Sequence, residues 1–296
     1  MASNQRLDQF LRQKFPSLTR RQAEDAADGG LVRTKGGGKV KKGLRGFSES
    51  DLELEPLAKH LETLRRGNPA LKATVLYEDP ELFVIDKPAG IHSHPLSLFD
   101  LDTVTNWAFS RDPKMADEFP EIQPTVAPHR LDKETSGVLL VSRTQASFQK
   151  WREVFAGKSA TKEYLAWCWG SPSEENYVVE NFLAHDTADA RKMRAGMDGD
   201  KGVRGPFQES RSRIAVLEKR ADKFLAKVTC TTGVTHQVRV HCAEAGFPLV
   251  GDELYDPAYP DRPEKVTGHL LRAVKLVAGG KTFEAPGDEF RARFPR

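Results

Sequence analysis

The chain has 296 residues, of which 39% are hydrophobic and 29% charged, a balance typical of a globular protein with a sizeable core. No run of 18 apolar residues occurs and the N-terminus has no apolar signal stretch, so we expect a cytoplasmic protein with no membrane partner. The cysteines, Cys168, Cys230 and Cys242, are odd in number and widely spaced, which favours reduced thiols over a disulfide framework or a zinc site.

The basic residues are concentrated near the N-terminus. Residues 1–50 contain 11 Lys or Arg against 5 Asp or Glu, although the net charge of the whole chain is only +3. Because contacts with phosphates release counterions, a concentrated basic segment is typical of a protein with a polyanionic partner. A solvated basic tail is the alternative, and composition alone leaves the two open.

The first 46 residues predict a small α+β domain. A helix over residues 5–15 ends at Pro16, a second helix is capped by Thr19 and runs to Asp28, and a hairpin over residues 31–42 turns at its glycine run. This order resembles the RNA-binding domain first known from small-subunit ribosomal protein four. The resemblance implies an RNA contact through one basic face, formed by Arg20, Arg21, Lys39, Lys41 and Lys42. A generic helical cap with a basic loop is the alternative.

Residues 47–70 read as a linker with a short helix, which leaves residues 71–296 as the larger domain. Strands are predicted at residues 74–77, 82–86, 138–142, 164–169, 211–218, 224–231 and 271–277, and helices at 145–156 and 235–246. The glycine- and charge-rich segment 190–206 is predicted to be a loop, where substrate choice could reside. Strands joined mostly by turns indicate an α+β fold around a largely antiparallel mixed sheet.

One polar loop stands out from the rest of the larger domain. Residues 129–137 read HRLDKETSG and lead directly into an aliphatic strand. Taken alone, Asp132 in such a loop is more often a turn or capping residue than a reactive one. The whole string, however, resembles the signature of the RluA-type pseudouridine synthases, and nine residues in order make a specific match.

The likeness to this family extends over nearly the whole chain after residue 72. Residues 84–91 (VIDKPAGI) resemble its first motif, 162–166 (KEYLA) its tyrosine motif and 232–241 (TGVTHQVRVH) its third motif. Among the departures from the family pattern, Val234 stands where the family has an arginine. That exchange puts a phosphate or structural contact in doubt.

The resemblance implies an enzyme that isomerises specific uridines in RNA to pseudouridine, without a metal or an organic cofactor. Uracil is detached from its ribose, turned and rejoined through carbon five, which requires the base to be flipped out of its stack. The family makes Asp132 the nucleophile, attacking either the sugar or the base. It makes Arg239 the cation that pairs with Asp132 and favours its ionised form, and it places Tyr164 against the target base.

The same motifs imply further contacts with the substrate. We expect the RNA to be bound by Lys87, His129, Arg130, Thr135 and His236, with Arg130 holding a phosphate or filling the space of the extruded base. The appended basic domain favours ribosomal over transfer RNA. We expect a monomer.

Two rival functions remain at this point. One is a catalytically silent RNA-binding protein with the same fold. Against it, this chain retains Asp132, Tyr164 and Arg239, the catalytic residues that the family resemblance implies. The other is a metal-dependent hydrolase using His92, His94, His236, His241 and Cys242. The spacing of His236 and His241 departs from the i, i+4 spacing of helical zinc ligands, and activity that survives a chelator would exclude the hydrolase.

Overall fold

The structure is a computed structural model that describes residues 4–197, 199–263 and 266–294. The first three residues of the predicted N-terminal domain and Asp198 of the predicted 190–206 loop lie outside the described residues, as do residues 264–265 and 295–296 of the larger domain. The chain forms two compact units. The first comprises Met1–Lys72, His92–Ala127 and Val141–Phe148, and the second Ala73–Ile91, Pro128–Leu140 and Gln149–Arg296.

The first unit is mainly helical. Its elements are α1 (Leu7–Lys14), α2 (Arg20–Asp28), β1 (Arg33–Thr34), β2 (Leu52–Glu53), α3 (Glu55–Arg66), α4 (Val104–Arg111) and α5 (Met115–Glu118). The predicted cap of α2 is confirmed, because the Thr19 hydroxyl accepts a hydrogen bond from the Gln22 amide while the Gln22 side chain accepts one from the Thr19 amide.

The predicted hairpin over residues 31–42 is reduced to one bridge. Arg33 pairs with Lys39 in an isolated antiparallel bridge, and the Thr34 amide donates to the Gly38 carbonyl at 3.0 Å. Strand β1 pairs instead with β2, with Arg33 opposite Glu53. The glycine run supplies the turn, but glycines weaken a strand interior, so the ladder does not extend.

One apolar core holds the first unit together. Buried leucines of α1 and α2's buried alanines pack with Leu57, Leu61 and Leu64 of α3, and Leu98 and Ile122 join the same cluster. The segment predicted as a linker therefore contributes three buried leucines to the core that the N-terminal helices occupy. Deleting residues 1–46 would expose this core, so charge substitutions are the better probe of the N-terminal segment.

The second unit carries the sheet. Its strands are β3 (Thr74–Glu78), β4 (Leu82–Lys87), β5 (Ser136–Ser142), β6 (Thr161–Trp169), β7 (Asn176–Asp186), β8 (Met193–Gly196), β9 (Val203–Lys219), β10 (Lys223–Cys230), β11 (Leu271–Ala278) and β12 (Lys281–Glu284), and its helices are α6 (Gln145–Ala156), α7 (Gln237–Glu244) and α8 (Asp288–Arg291). Val141–Phe148, which include the last residues of β5 and the first of α6, belong to the first unit. Among the described residues, no helix is long and apolar enough to cross a membrane.

The strands form one sheet in the order β3-β4-β5-β11-β6-β10-β9-β7-β8, with β12 beside β11. The β5–β11 pair is parallel, whereas β3–β4, β11–β6, β6–β10, β10–β9, β9–β7 and β7–β8 are antiparallel. The prediction of an α+β fold around a largely antiparallel mixed sheet is confirmed.

The prediction of a loop over residues 190–206 was wrong. Strand β8 occupies Met193–Gly196 and pairs with β7, and β9 begins at Val203 and pairs with the other side of β7, so both ends of the segment extend the sheet. Two of the glycines that indicated a loop, Gly199 and Gly202, lie between these strands, both with positive φ, whereas Gly196 and Gly205 lie within them. Met193 is buried and packs with Leu183 of β7, an apolar contact that the surrounding charges concealed.

The aromatic residues of β6 divide between its two faces. Tyr164, Ala166 and Cys168 join one apolar cluster, as predicted from the alternation. Trp167 and Trp169 lie in a second cluster, and the Trp167 indole donates to the Phe290 carbonyl at 2.9 Å. This hydrogen bond links Trp167 to the C-terminal helix α8, whereas Tyr164 lies on the opposite face of β6.

Candidate active site

A cleft of about 600 Å³ lies in the second unit. That volume falls within the range of ordinary small-ligand sites. The loop before β5, strand β6 and the start of α7 converge on it. Of the residues predicted from the sequence, those that line the cleft are His129, Arg130, Asp132, Thr135, Tyr164, His236 and Arg239.

The loop that carries Asp132 is tied to the loop that follows β4. The Thr135 amide donates to the Asp132 carbonyl at 3.1 Å, which closes a turn, and the next carbonyl, that of Lys133, accepts from the Gly90 amide at 2.9 Å. The Lys87 side chain adds hydrogen bonds to three backbone carbonyls, those of Pro88, Ile91 and Lys133, at 2.9, 2.9 and 3.0 Å. Lys87 therefore lies behind the loop and does not line the cleft.

The charge state of Lys87 follows from these contacts. Burial lowers its pKa to about 8, opposed by the nearby carboxylates of Glu134 and Asp132. Three carbonyl partners require three N–H hydrogens, which only the ammonium form has. Lys87 thus stays charged near neutral pH, and its hydrogen bonds hold the Asp132 loop against the loop that follows β4.

Gly137 fixes where the Asp132 loop enters the sheet. The parallel pairing of β5 with β11 places Gly137 opposite Ala273, and a Cβ at position 137 would lie 1.9 Å from the Ala273 carbonyl oxygen. Its φ of 111° is likewise a conformation that residues with side chains rarely adopt. Glycine is the residue that allows this approach.

Arg239 connects the Asp132 carboxylate to a second, fully buried one. Its Nε and Nη2 donate to Asp252 at 2.7 and 2.8 Å, while Nη1 lies 3.4 Å from Oδ2 of Asp132. Burial opposes the charge on both Arg239 and Asp252. Their hydrogen bonds and mutual attraction outweigh it, so that the pKa of Arg239 is raised and that of Asp252 lowered. The predicted Arg239–Asp132 pairing is present, and the bidentate anchor orients it.

His236 approaches the same carboxylate oxygen from another side. Its Nε2 lies 3.8 Å from Oδ2 of Asp132 and its Nδ1 is 2.9 Å from the Tyr255 hydroxyl. Burial is the main reason that the pKa of His236 is lowered. The residue precedes α7 in the left-handed conformation, with φ 56° and ψ 13°, which is uncommon outside glycine.

Tyr164 contributes a neutral phenol to the cleft. Its pKa is raised by burial first, and further by Cys230 and Asp132. A phenol in this state can stack or donate a hydrogen bond, but it carries no charge with which to abstract a proton at neutral pH.

His129 and Thr135 are engaged within the protein. His129 Nε2 accepts from the Leu140 amide at 3.0 Å, and its ring centroid lies 4.5 Å from that of Phe155. The Thr135 hydroxyl is 2.9 Å from His269 Nε2 in a buried pair. Their substrate contacts remain predictions. Arg130 is exposed where it lines the cleft.

Sequence reasoning missed several residues of this site. Asp252, Tyr255 and His269 surround the groups already named, and the cleft is also lined by the cations of Arg152, Lys158 and Lys162. Asp252 ends the string GFPLVGD that continues the third motif, which was its one available signal. Lys162 opens the tyrosine motif, and the other residues belong to no motif recognised in the sequence.

The histidines of the hydrolase alternative have protein partners. His241 Nδ1 lies 2.7 Å from the Ser212 hydroxyl and its Nε2 2.8 Å from Asn181 Oδ1, and burial lowers its pKa to about 4. In the part of the chain that the structure describes, no group of three or more His, Cys, Asp or Glu residues could hold a metal ion.

The predicted basic face of the first unit is divided. Arg20 and Lys42 both form ion pairs with Glu24, at 3.1 and 3.2 Å. Arg21, Lys39 and Lys41 are exposed. The face therefore holds both internally compensated cations and cations that are open to a polyanion.

Comparison with known proteins identifies the class. A sequence description of the family "RNA pseudouridylate synthase" matches residues 81–244. An RNA pseudouridine synthase of Chlorobaculum parvum is 32% identical over 92% of this chain and 83% of its own. The ribosomal large subunit pseudouridine synthase D of Borreliella burgdorferi is 29% identical, over 98% of this chain and 87% of its own length. The chain belongs to the RNA pseudouridylate synthase family, in its RluA-type branch, and is an isomerase.

Solved structures agree on the fold. Human RNA pseudouridylate synthase domain containing 1 superimposes with a TM-score of 0.57 at 24% identity, covering 74% of this chain and 84% of its own. Human RNA pseudouridylate synthase domain containing 4 superimposes with a TM-score of 0.55 at 22% identity, covering 80% of this chain and 97% of its own. The mostly antiparallel sheet is therefore the fold of this class.

Proposed function

We propose that this chain converts specific uridines in structured RNA into pseudouridine, with Asp132 as the nucleophile. The observation that carries the proposal is the pairing of Asp132 with Arg239 inside a cleft that Tyr164 also lines. A nucleophilic carboxylate must be ionised, and an oriented guanidinium favours that state. The proposal requires neither a metal nor an organic cofactor.

The two oxygens of Asp132 have different surroundings. Arg239 and His236 both approach Oδ2, at 3.4 and 3.8 Å. Oδ1 receives no hydrogen bond from any residue among those described. We therefore assign Oδ1 as the attacking oxygen, since a lone pair that is not engaged is the more available one. Attack on the anomeric carbon and attack on the base both remain compatible with this assignment.

The reaction requires the uridine to leave its stack. Both the glycosidic bond and carbon five must reach Asp132, which a stacked base does not permit, and flipping costs a few kcal/mol, least in loops and bulges. Tyr164 offers a neutral ring against which the extruded uracil can stack. The cations that line the cleft, Arg130, Arg152, Lys158 and Lys162, suit the adjoining phosphates and offset part of this cost.

Ribosomal RNA is the substrate that we favour over transfer RNA. Relatives such as the Borreliella burgdorferi protein are named ribosomal large subunit pseudouridine synthases. The exposed cations Arg21, Lys39 and Lys41 add sequence-tolerant affinity for a large folded RNA. We propose that the protein acts on this substrate in the cytoplasm.

Tritium release tests the chemistry directly. RNA labelled at carbon five of uracil loses its label when carbon five becomes the point of attachment. We expect release with the wild type and none above background with Asp132→Asn, which keeps the shape but not the charge. Asp256→Asn is the matched control, because Asp256 is likewise paired with an arginine, Arg262, but lies outside the cleft. Wild-type protein that binds RNA but releases no tritium from any cellular RNA would establish the silent RNA-binding alternative instead.

A further inference from the structure

Tyr255 is a residue to which the sequence motifs assign no role, although it lies directly behind the active site. Its hydroxyl accepts a hydrogen bond from the Met193 backbone amide at 2.7 Å and lies 2.9 Å from His236 Nδ1. Its ring also faces the Arg239 guanidinium, whose central carbon is 5.0 Å from the ring centroid. Tyr255 thus connects strand β8 with both groups that approach Asp132.

The hydrogen-bond directions in this chain are determined by the donors available. A backbone N–H can only donate, so the Tyr255 oxygen is the acceptor for Met193. The single hydroxyl hydrogen then has one acceptor within reach among the described residues, His236 Nδ1. If Nδ1 were the donor instead, the hydroxyl hydrogen would be left without a partner, which is unfavourable.

The other ring nitrogen gives an independent argument for the same tautomer. With Nδ1 accepting, the proton of the neutral ring lies on Nε2 and faces Oδ2 of Asp132 at 3.8 Å. The opposite tautomer would set a nitrogen lone pair against a carboxylate, which is repulsive. Burial, which lowers the pKa of His236, disfavours the doubly protonated ring.

We propose that Tyr255 is a positioning residue that holds His236 as a neutral imidazole with its Nε2–H directed at the nucleophilic carboxylate. This inference rests on the proposed role of Asp132. A neutral donor orients Oδ2 without adding a second full charge. Attack neutralises the carboxylate, so every additional cation beside it would stabilise the unreacted state and slow the step.

The apolar residue Val234 fits this arrangement. Val234 packs with Tyr255 against the apolar cluster of Leu183, Met193 and Val240. An arginine at position 234 would bring a charge into that cluster. The paired strands β7 and β8 therefore do more than extend the sheet, since Leu183, Met193 and the Met193 amide together support Tyr255.

The tautomer can be read without any activity measurement. In protein labelled with ¹⁵N-histidine, two-bond nitrogen–proton correlation spectra assigned through His236→Asn distinguish an Nε2–H ring from an Nδ1–H ring. We expect the Nε2–H pattern for His236 in the wild type and a changed tautomer population in Tyr255→Phe. An Nδ1–H or doubly protonated ring in the wild type at pH 7.5 overturns the proposal, and so does a spectrum that Tyr255→Phe leaves unchanged.

A double-mutant cycle tests the consequence for catalysis. We expect Tyr255→Phe to lower kcat about tenfold with little change in KM, and to have no further effect in a His236→Asn background, because Tyr255 acts through His236. Asparagine is chosen because it tolerates the left-handed backbone. Tyr177→Phe is the control, since its hydroxyl accepts from the Glu174 amide away from the cleft. Additive losses of kcat in the two variants would overturn the proposal that Tyr255 acts through His236. A wild type inactive on every RNA refutes the proposed function, while the spectra still decide the tautomer.

Discussion

Asp252 receives two hydrogen bonds from Arg239, at 2.7 and 2.8 Å, and thereby sets the direction in which the remaining guanidinium nitrogen reaches Asp132. The Asp252 side chain is fully buried, with 0% of its surface exposed, and that of Arg239 is 9% exposed. A buried guanidinium held at two points loses little further freedom when it binds a third group. The distance between Arg239 and Asp132 therefore depends on Asp252 as well as on the two residues themselves.

Asp252→Asn should impair both folding and catalysis. The change leaves a buried arginine without its anchoring charge, and breaking such pairs costs about 3–5 kcal/mol. We expect a fall in the free energy of unfolding of that order and a loss in kcat of at least tenfold under conditions where the variant remains folded. Urea denaturation and tritium release measure the two effects.

Asp256→Asn separates the two effects of the Asp252 substitution. It removes a similar buried partner, that of Arg262, outside the cleft, and should destabilise the fold without the same loss in kcat. Equal kcat losses in the two variants would show that Asp252 acts through stability alone.

Lys87→Met should displace the Asp132 loop. Methionine preserves the buried chain but leaves the carbonyls of Pro88, Ile91 and Lys133 without their common donor. The Lys133 carbonyl keeps the Gly90 amide as a donor, but each carbonyl left unsatisfied costs about 1–3 kcal/mol, so we expect a loss of stability and faster amide exchange at residues 132–135. Lys150→Met, which removes an exposed ion pair with Glu81, is the control. Unchanged exchange in Lys87→Met would contradict this role of Lys87.

Gly137→Ala should reduce stability by more than the strain of placing alanine at a positive φ. The new methyl group would lie 1.9 Å from the Ala273 carbonyl oxygen, so β5 and β11 must separate. Gly280→Ala is the matched control, because Gly280 also has a positive φ, 73°, but an added Cβ meets nothing within 4 Å. We expect the control to cost about 1 kcal/mol or slightly more and Gly137→Ala to cost several, with loss of tritium release. Equal costs in thermal unfolding would show that the close approach is relieved.

Acid should destabilise the protein before its carboxylates titrate. Burial lowers the pKa of His241 and that of His269 from about 6.5 to about 4 in the folded state. Below pH 6.5 the unfolded chain binds more protons, so stability is present above that pH and is lost as the pH falls toward 4. Each histidine contributes up to about 3 kcal/mol to this loss.

Unfolding in urea at pH 7.5 and pH 5 measures this pH dependence. His241→Gln retains polar groups for Ser212 and Asn181. It should reduce the pH dependence of the free energy of unfolding by the contribution of His241. A wild type equally stable at both pH values would contradict the buried neutral state of these rings.

The exposed cations of the first unit should control the salt dependence of RNA binding. Replacing Arg21, Lys39 and Lys41 together by alanine should lower the slope of log K against log salt by about 2–3, since each phosphate contact contributes about 0.7–0.9. Lys59→Ala is the control, because Lys59 is occupied by Glu55 on the same helix. Filter binding at several salt concentrations gives the slopes. A triple variant with the wild-type slope would refute the RNA role of these residues.

The sequence by itself determined the elements that depend on local patterns. Helix α6 has the predicted bounds, the Thr19 cap forms, and the alternation along β6 correctly separates Tyr164 from Trp167. Such features follow from neighbours in the chain, through side-chain periodicity and capping. The motif around Asp132 was likewise recognisable, because its residues are consecutive.

Only the tertiary structure decided what lies behind those motifs. Asp252 and Tyr255 become part of the site because the chain folds back after α7, 13 and 19 residues beyond the groups they hold. Lys87, predicted to bind RNA, meets the Lys133 carbonyl across 46 positions and so acts on the loop instead. The 190–206 segment joined the sheet for the same reason, since Met193 packs with Val240 and Tyr255, which lie far along the chain. Hydrogen bonds and burial between remote residues leave no periodic trace, and they are what orients Asp132.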